Sequence, residues 1–394
     1  MFSHLSHFFK NTLSRTIGSI FVGEGFLFGT WAAFIPIIKY KFGLDDAQLG
    51  LVLLSLPAGI TITNPLSVLV MHRLGIVNAT IGCLICATLL FILPVAAASV
   101  PWLCVGLFVA GAAFSATNVA MNTGATMMES HQKTRIMSTC HGLWSFGAML
   151  GSAIGGISFG WGIIPVLHFA IVALFIVLLA IRAKQPMDIL TSYEQIDKKH
   201  ENATDRKFMM PSAALWAIII ISLCVNLTEG TLADWAGVYM RDVVHATIQM
   251  SGWGFAAYAF FMAGGRFIGD AILNKYGDKQ VLMVGGLICT LGFTISVVFP
   301  IFPMVLLGFA LIGAGVSLGA PILYAAASRV PGMAPGAGLA TMNTFAMVGF
   351  LGGPAVIGFL AKIWSLGFAF SVVAGVGLFW TWRARSFNNN PTSK

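Results

Sequence analysis

Twelve apolar runs, each long enough to cross a lipid bilayer, are the feature that most limits what this chain can fold into. A crossing helix needs about 20 mostly apolar residues, and runs of that length, closed by charged residues, Gly or Pro, follow one another along the sequence. The predicted helices span 16–38, 47–71, 76–98, 101–127, 136–158, 163–182, 213–239, 248–272, 279–299, 302–326, 335–361 and 364–384. The first run is longer than the apolar region of about 7–15 residues in a cleaved signal peptide, so we expect it to be retained. The sequence therefore predicts an all-α membrane protein with twelve transmembrane helices.

Composition excludes several classes of protein. The 394 residues are 57% hydrophobic and 9% charged, whereas about 25% charged residues is usual for soluble domains. The 22 basic residues lie almost entirely between apolar runs, so the net charge of +8 does not indicate a nucleic-acid partner. All six cysteines lie within apolar runs, which predicts neither a disulfide framework nor a metal site. The sequence has no Walker loop, and its Gly-x-Ser-x-Gly at 315–319 falls inside a predicted helix, so we predict no enzyme.

Basic residues set the expected orientation in the membrane. An even number of spans puts both termini on one side, and only Lys39, Lys41, Arg241 and Lys362 fall in loops on the opposite side. Because basic residues favour cytoplasmic loops, both termini are predicted to be cytoplasmic. The longest polar stretch divides the chain into a six-helix bundle at 1–182, a cytoplasmic linker at 183–212 and a second six-helix bundle at 213–394.

The two predicted bundles carry an internal repeat. Glu24-Gly25 before Trp31-Ala32 in the first helix matches Glu229-Gly230 before Trp235-Ala236 in the seventh. Three other helix pairs match at nearly the same offset: Leu84-Ile85-Cys86 with Leu287-Ile288-Cys289, Gly111 and Ser115 with Gly313 and Ser317, and Gly147 and Gly151 with Gly349 and Gly353. Repeated bundles of the same topology imply a pseudo-twofold axis along the membrane normal with a central site between them.

Ionisable residues within the predicted spans are the first functional candidates, because such groups are costly in a bilayer. The candidates for proton coupling are Glu24, Glu229, Asp234 and His141. Glu24 and Glu229 are repeat mates, so we expect them to face one another across the central cavity, where a carboxylate can take a proton from one side and release it to the other. Each group could instead only hold helices together.

Uncharged polar and aromatic residues extend the expected site. The candidates for substrate binding are Asn118, Asn122, Asn226, Asn343, Trp31, Trp144 and Trp235. Amides donate and accept hydrogen bonds, which suits a hydroxyl-rich solute, and Trp rings can stack on sugars or cations. Interhelical hydrogen bonds for the amides and interface anchoring for the Trp residues are the alternatives.

Two loop motifs and several helix motifs resemble one known family. His72-Arg73-Leu74-Gly75 is a degraded form of the G-x-x-x-D-R-x-G motif of the major facilitator superfamily, and Gly265-Arg266, Gly269-Asp270 and Tyr276-Gly277 form its counterpart. The resemblance implies the superfamily fold of two pseudo-symmetric six-helix bundles and alternating access. It also implies a charge latch at the cytoplasmic ends of the helices, with Arg73, Arg266 and Asp270 as gating residues.

Helix motifs narrow the resemblance to a bacterial branch related to the fucose permease and typified by the rhizopine-locus membrane protein. Those motifs are Trp31-Ala32 with Pro36, Asn118-Val119-Ala120-Met121-Asn122, His141-Gly142 with Ser145, Glu229-Gly230 with Asp234-Trp235, and Ser317 with Pro321. In the branch, a basic residue often occupies the position of Phe34, and Glu24 is not typical. Both departures make the expected cavity more acidic, which argues against an anionic substrate. No Lys or Arg is expected in the cavity.

The polarity of the expected cavity predicts proton-coupled symport of a sugar or polyol across the bacterial inner membrane, by a monomer that uses a proton gradient and no cofactor. Gly147-x-x-x-Gly151-Ser152-x-x-Gly155-Gly156 also resembles a motif of drug/proton antiporters, which have Pro in place of Ser152. Efflux of lipophilic cations is therefore an alternative, and a receptor or scaffold that no longer transports is a second one.

Overall fold

The computed structural model describes residues 3–200, 212–330 and 337–387. Twelve helical segments in these ranges are long and apolar enough to cross a membrane, which confirms the predicted all-α, multi-pass fold. Parts of the first predicted bundle, at 1–2, of the predicted linker, at 201–211, and of the second predicted bundle, at 331–336 and 388–394, lie outside the described residues, as do the first two residues predicted for the eleventh helix.

We number the spans 1 to 12 in chain order. Nine of the described spans are single helices: span 1 Thr12–Lys41, span 4 Val100–Gln132, span 5 Met137–Gly160, span 6 Pro165–Met187, span 7 Ala213–Asp242, span 8 Ile248–Tyr276, span 9 Asp278–Val298, span 11 Ala337–Ile363 and span 12 Leu366–Ala384. The other three are each built from two helices: span 2 Asp46–Leu53 and Ser55–Leu74, span 3 Ile76–Leu90 and Ile92–Ala96, and span 10 Phe302–Val316 and Gly319–Ala327.

Local sequence explains where several spans begin. Span 1 starts four residues before its predicted bound because the Asn11 side-chain oxygen accepts hydrogen bonds from the backbone N–H groups of Leu13 (2.9 Å) and Ser14 (3.2 Å). A Ser cap at residue 212 starts span 7 in the same way. Two further helices lie outside the spans, Ser3–Lys10 and Ile189–His200.

Two glycines at matching repeat positions make the same turn. Gly75 ends span 2 and begins span 3 with φ 75° and ψ 158°, and Gly277 ends span 8 and begins span 9 with φ 76° and ψ 158°. Positive φ strongly favours glycine. These residues close the two copies of the loop motif, so the repeat seen in the sequence extends to backbone geometry.

The helix Ile189–His200 packs on the first six spans. Its Tyr193 ring stacks on the His131 ring of span 4 at 4.2 Å between centroids, and Asp197 Oδ1 lies 3.0 Å from His131 Nε2. Glu194 Oε2 accepts a hydrogen bond from the backbone N–H of Ile76 at the start of span 3. Part of the stretch predicted as a linker is therefore a docked helix on the side of the membrane where residues 3 and 387 lie, called below the termini side.

Spans 5 and 8 join the first six spans to the last six, and the contact runs along the length of span 5. Ser138 Oγ donates to the Arg266 carbonyl at 2.8 Å, Ser152 Oγ donates to the Gly252 carbonyl at 2.8 Å, and Gln249 Nε2 donates to the Gly160 carbonyl at 3.0 Å. We call this contact the 5–8 seam. Small residues allow it, since a Cβ on Gly156 or Gly252 would meet the backbone of the facing helix.

Spans 2 and 11 meet at their other end, called below the far side. A Cβ on Gly50 would strike the carbonyl of Pro354, and one on Gly358 would strike the carbonyl of Asp46, so the two backbones lie in direct contact. Toward the termini side the two spans separate. The space between them there is the central cavity.

Candidate functional site

A cavity of about 740 Å³ lies between the two groups of spans and extends to the termini side. Its wall is polar along spans 4, 7 and 11 and includes Asp197 of the docked helix near its mouth. The polar lining residues in the described chain are Asn64, Ser115, Asn118, Asn122, Thr123, Thr126, Ser130, His141, Asp197, Asn226, Tyr324 and Asn343. Apart from Asp197, no Asp, Glu, Lys or Arg of the described residues lines it.

Four predicted substrate residues lie in this lining, namely Asn118, Asn122, Asn226 and Asn343. Asn122 Nδ2 donates to the Asn118 carbonyl at 2.8 Å and lies 3.2 Å from its side-chain oxygen, so the two amides form one polar strip on span 4. Asn226 Nδ2 is bound to the Ser222 carbonyl at 2.8 Å. The structure thus brings amides from both groups of spans to one cavity.

His141 also lines the cavity, as does its repeat mate Asn343. The His141 ring lies edge-on to Phe21 at 5.5 Å between centroids. Its backbone carbonyl accepts hydrogen bonds from Ser145 Oγ at 3.1 Å and from Arg266 Nη1 at 3.3 Å. His141 therefore connects the cavity wall to the 5–8 seam.

Glu24 lies behind the cavity wall and is fully buried. Its Oε2 accepts hydrogen bonds from Trp144 Nε1 at 3.0 Å and from Asn118 Nδ2 at 3.3 Å, whereas Oε1 has no partner among the described residues. Trp144 packs on Phe28 rather than in the lining. Glu24 thus reaches the cavity only through Asn118.

Glu229 has a different partner. Its Oε1 lies 3.8 Å from Arg266 Nη2, an ion pair without a hydrogen bond, and the Arg266 side chain is 8% exposed. Glu229 does not line the cavity either. The expected arrangement, in which Glu24 and Glu229 face one another across the cavity, is therefore not the one observed. Glu24 is buried behind the wall, and Glu229, which is 26% exposed, lies outside the lining, each with its own partners.

Arg266 occupies an unexpected place. We predicted it at the cytoplasmic end of span 8, but ten residues, or about 15 Å of helix, separate it from the end of the span at Tyr276. Its guanidinium donates to Ser145 Oγ at 2.7 Å and to the Ser317 carbonyl at 3.4 Å. Arg266 does not line the cavity, but it lies behind the wall and faces the charge of Glu229.

The remaining predicted residues lie elsewhere. Trp31 and Trp235 are 1% and 0% exposed and are packed inside the helical groups, away from the lining. Asp234 is half-buried five residues after Glu229, and no hydrogen bond or ion pair to it is found among the described residues. Arg73 and Asp270 are exposed near the termini-side ends of spans 2 and 8.

Sequence reasoning missed several polar cavity residues, among them Asn64 and Tyr324. Asn64 could have been found, because it is an amide inside an apolar run like Asn118. Tyr324 carries no such signal.

A charged cluster on the far side was also missed. Lys39 at the end of span 1 pairs with Asp46 of span 2 and Asp242 of span 7, and the Tyr40 hydroxyl is bound to Asp242 as well. Lys362 of span 11 lies 2.9 Å from Asp45. We call these six residues the far-side cluster. The sequence marked Lys39 and Lys362 because they fall in loops on the side opposite to nearly all the other basic residues.

The far-side cluster joins both groups of spans where the cavity is closed. Asp45 is the one member in a loop before its helix, and its carboxylate accepts a hydrogen bond from the Gln48 backbone N–H at 2.8 Å. That N–H and the Lys362 ammonium hold the pKa of the Asp45 carboxyl below its ordinary value.

The motif shared with drug/proton antiporters has a packing role here. Gly147 and Gly151 let span 5 touch the backbone of span 1 at Val22 and Phe26. Ser152 serves the 5–8 seam.

The chain matches the Major Facilitator Superfamily over residues 17–247 and 219–394. The chain belongs to this superfamily and is a transporter. It is 32% identical over 355 residues to an uncharacterized MFS-type transporter of Yersinia pestis, covering 87% of this chain and 88% of that one. It is 28% identical over 375 residues to the membrane protein MosC of Rhizobium meliloti, covering 94% and 88%. The predicted resemblance to the rhizopine-locus branch is thereby confirmed.

Solved structures of other superfamily members share the fold. The xylose transporter XylE of E. coli in an inward-open conformation superposes with a TM-score of 0.73 at 13% identity, covering 97% of each chain. The nucleoside transporter NupG gives 0.71 at 12% identity, covering 96% of this chain and 100% of that one. Identities this low establish the fold alone.

Proposed function

We propose that this transporter moves a small, neutral, hydroxyl-rich solute, a sugar or polyol, into the bacterial cytoplasm by proton symport. The observation that carries the proposal is the amide-lined cavity, in which Asn64, Asn118, Asn122, Asn226 and Asn343 offer both donors and acceptors. A hydroxyl group both donates and accepts, so amides on opposite walls can hold it from either direction. With Asp197 only at the mouth, the wall has no fixed charge that selects an ion.

The described state corresponds to one end of an alternating-access cycle. The far-side cluster closes one mouth, and the cavity extends to the other. We assign the termini side to the cytoplasm, because nearly all the basic residues lie there. On that assignment, the described state faces inward, and the 5–8 seam is the contact about which the two groups of spans rock.

Glu229 is the carboxylate to which we assign the coupled proton. Arg266, which pairs with Glu229, also donates hydrogen bonds to Ser145 Oγ and to the His141 carbonyl of span 5. Protonation of Glu229 would therefore free a guanidinium that also contacts the opposite group of spans. His141 places this chain of contacts at the cavity wall. Substrate and proton can thereby bias the same conformational equilibrium.

The other predicted residues receive supporting roles in this proposal. Glu24 fixes Asn118 for substrate binding, because it accepts the Asn118 amide hydrogen bond. Trp144 in turn fixes Glu24. Asp234 is a second proton candidate on span 7, and Trp31 and Trp235 shape the packing behind the site. Arg73 and Asp270 stay gating candidates at the cytoplasmic mouth.

Efflux of lipophilic cations is the second candidate, favoured by one observation. A gap of about 490 Å³ lined by apolar residues lies between spans 7, 11 and 12, with Leu223, Leu227 and Val372 in its wall. A hydrophobic solute could enter there from the bilayer. Arg266 argues against it, since it offsets the charge of Glu229.

Ligand-dependent unfolding of the purified protein tests the substrate class. A ligand at 100 times its Kd stabilises the folded state by about 2.7 kcal/mol, so pentoses, hexoses and linear polyols are screened beside tetraphenylphosphonium. We expect a sugar or polyol to raise the unfolding temperature. A response to tetraphenylphosphonium alone would replace uptake with efflux, and no response to any compound would favour a receptor or scaffold.

Transport in proteoliposomes tests the coupling. With the solute found in the screen, Glu229→Gln is expected to keep exchange between labelled and unlabelled solute but to lose accumulation driven by a pH gradient. Asp188→Asn is the matched control, because Asp188 is an exposed carboxylate after span 6 and far from the cavity lining. Accumulation by Glu229→Gln equal to that of Asp188→Asn would contradict the assignment.

A further inference from the structure

A groove of about 590 Å³ lies on the outer surface of the first six spans, between the beginning of span 1 and the end of span 6. It is separate from the central cavity and shares no lining residue with it. Span 1 contributes a polar wall of three hydroxyl side chains and Arg15, and span 6 contributes Arg182 and an apolar wall.

The polar end of the groove is strongly basic. Arg15 and Arg182 are both exposed, and no acidic residue of the described chain lines the groove. The one hydrogen bond found for the Arg15 guanidinium is to Thr12 Oγ1 at 3.4 Å, and neither arginine is paired with a carboxylate among the described residues. Two guanidinium groups without counter-ions form a site for an anion, and Arg binds phosphate with two parallel hydrogen bonds.

The groove continues into the membrane as an apolar surface. Leu178 and Phe175 lie four and seven residues before Arg182 and are 54% and 52% exposed. One turn of helix is 5.4 Å, so these side chains lie about 6 Å and 10 Å deeper than Arg182 along span 6. An occupant that fits both ends is an amphiphile with an anionic head and an alkyl chain.

The hydroxyl groups indicate what kind of head. Thr16 Oγ1 donates to the Thr12 carbonyl at 2.8 Å and Ser19 Oγ donates to the Thr16 carbonyl at 2.7 Å, so both hydrogens are used within span 1. Their oxygens still have lone pairs for donors on a ligand. A head group that carries its own hydroxyl groups beside the phosphate would use them.

We propose that this groove binds phosphatidylglycerol from the leaflet on the termini side. The phosphate lies between Arg15 and Arg182, the glycerol hydroxyls donate to Thr16 and Ser19, and an acyl chain runs along Leu178 and Phe175. Phosphatidylethanolamine is disfavoured, because its ammonium group would lie beside two guanidinium groups. Basic pockets between helices at the head-group level are known to recognise anionic lipids.

Native mass spectrometry of the full-length protein in detergent tests the proposal, with phosphatidylglycerol and phosphatidylethanolamine of the same acyl chains. Each basic residue contributes about 1 kcal/mol to binding of anionic lipid, so the two arginines together give a preference of roughly 30-fold for phosphatidylglycerol. We expect Arg15→Gln/Arg182→Gln to abolish this preference. Arg385→Gln is the matched control and should keep it, since Arg385 is exposed on the same side but outside the groove.

Two results would overturn the proposal. One is an equal preference for phosphatidylglycerol in the double variant and the Arg385→Gln control. The other is displacement of the lipid by an equal concentration of inorganic phosphate, which would show that the alkyl chain contributes nothing. If the double variant does not fold, Arg15→Lys/Arg182→Lys keeps both charges but loses the paired hydrogen bonds, and it must then show a reduced preference.

Discussion

The two repeat mates Glu24 and Glu229 occupy matching positions in the first and seventh spans but have opposite kinds of neighbour. Glu24 is enclosed by an amide and an indole, both uncharged donors. Glu229 faces the guanidinium of Arg266 on span 8. The matching position on span 2, at the offset that relates Gly277 to Gly75, holds the uncharged Asn64. The sequence repeat therefore determines the position of each carboxylate in its span, whereas the facing helix determines which groups interact with it.

Helix packing also differs between the two halves. Spans 1 and 5 touch backbone to backbone, since Gly25 and Gly29 of span 1 meet the carbonyls of Trp144 and Ala148. In the second half, Gly349 and Gly353 of span 11 face leucine side chains of span 7 and border the apolar gap. The first half resembles a fixed support, and the second has room for its helices to shift.

The largest effect is expected from removing the partner that distinguishes Glu229. Arg266→Gln leaves the half-buried Glu229 carboxylate, which is 26% exposed, without its counter-ion. Losing one member of a fully buried pair costs about 3–5 kcal/mol, which is the upper bound here. We expect a clear loss of stability in thermal or denaturant unfolding in detergent. Glu229→Gln/Arg266→Gln should be more stable than Arg266→Gln alone, because neither charge then lacks a partner. Equal stability of the two would mean that the pair does not couple energetically.

Neutralising each carboxylate compares the halves directly. Glu24→Gln retains an amide oxygen that can accept from Trp144 or Asn118, so we expect pH-driven accumulation to persist with a weaker substrate affinity, by about 3–10-fold for one perturbed hydrogen bond. Glu229→Gln should lose accumulation. The measurement is solute uptake in proteoliposomes with and without a pH gradient. The reverse result, in which only Glu24→Gln is uncoupled, would move the proton site to the first half.

Glycine substitutions test the difference in packing. A Cβ at Gly151 would overlap the Phe26 carbonyl, whereas one at Gly353 would meet only the end of the Leu227 side chain at an ordinary distance. Gly151→Ala is expected to cost about 1–3 kcal/mol, typical of overpacking, and Gly353→Ala to be nearly neutral. Unfolding temperatures of the two variants in the same detergent are the measurement. Similar shifts in both would contradict the proposed contrast between a fixed and a mobile half.

The smallest effect is expected at the rim of the far-side cluster. The Lys362 and Asp45 side chains are 54% and 40% exposed, and ion pairs this exposed contribute little to stability. The measurement is the rate at which a thiol reagent added from the far side labels a cysteine at position 64, in a background without native cysteines. Lys362→Gln should change this rate by less than about fivefold. Lys39→Gln should change it more, because Lys39 holds two carboxylates from different spans.

The effect of Lys362→Gln should also depend on pH in a defined direction. The pKa of Asp45 is lowered by the Gln48 N–H and Lys362, so the pair contributes in full above the ordinary aspartate pKa of about 3.9. The contribution is lost as the pH falls through the lowered value. The difference between Lys362→Gln and wild type is therefore expected to be constant near neutral pH and to disappear only in strong acid.

Much of the fold could be predicted from the sequence, because bilayer spans leave long apolar runs and the repeat keeps its offset. The amides of the cavity were predictable for the same reason, since a polar side chain inside an apolar run stands out. Ion pairs between side chains of different spans could not be predicted. Arg266 and Glu229 meet because of the relative depth of spans 7 and 8, and no spacing within either span records it. Trp31 and Trp235 were predicted at the site from their nearness to the carboxylates along one helix, but neighbouring helices cover both.

The 5–8 seam has a consequence for the membrane in which the protein works. Its contacts run from Ser138 to Gly160, so the two halves can tilt about the seam but cannot separate as a whole. Tilting that opens one mouth presses the other shut. On the proposed alternating-access cycle, a membrane that stores energy as an ion gradient can hold many copies of such a protein without leaking ions, because the geometry denies water and ions a continuous path.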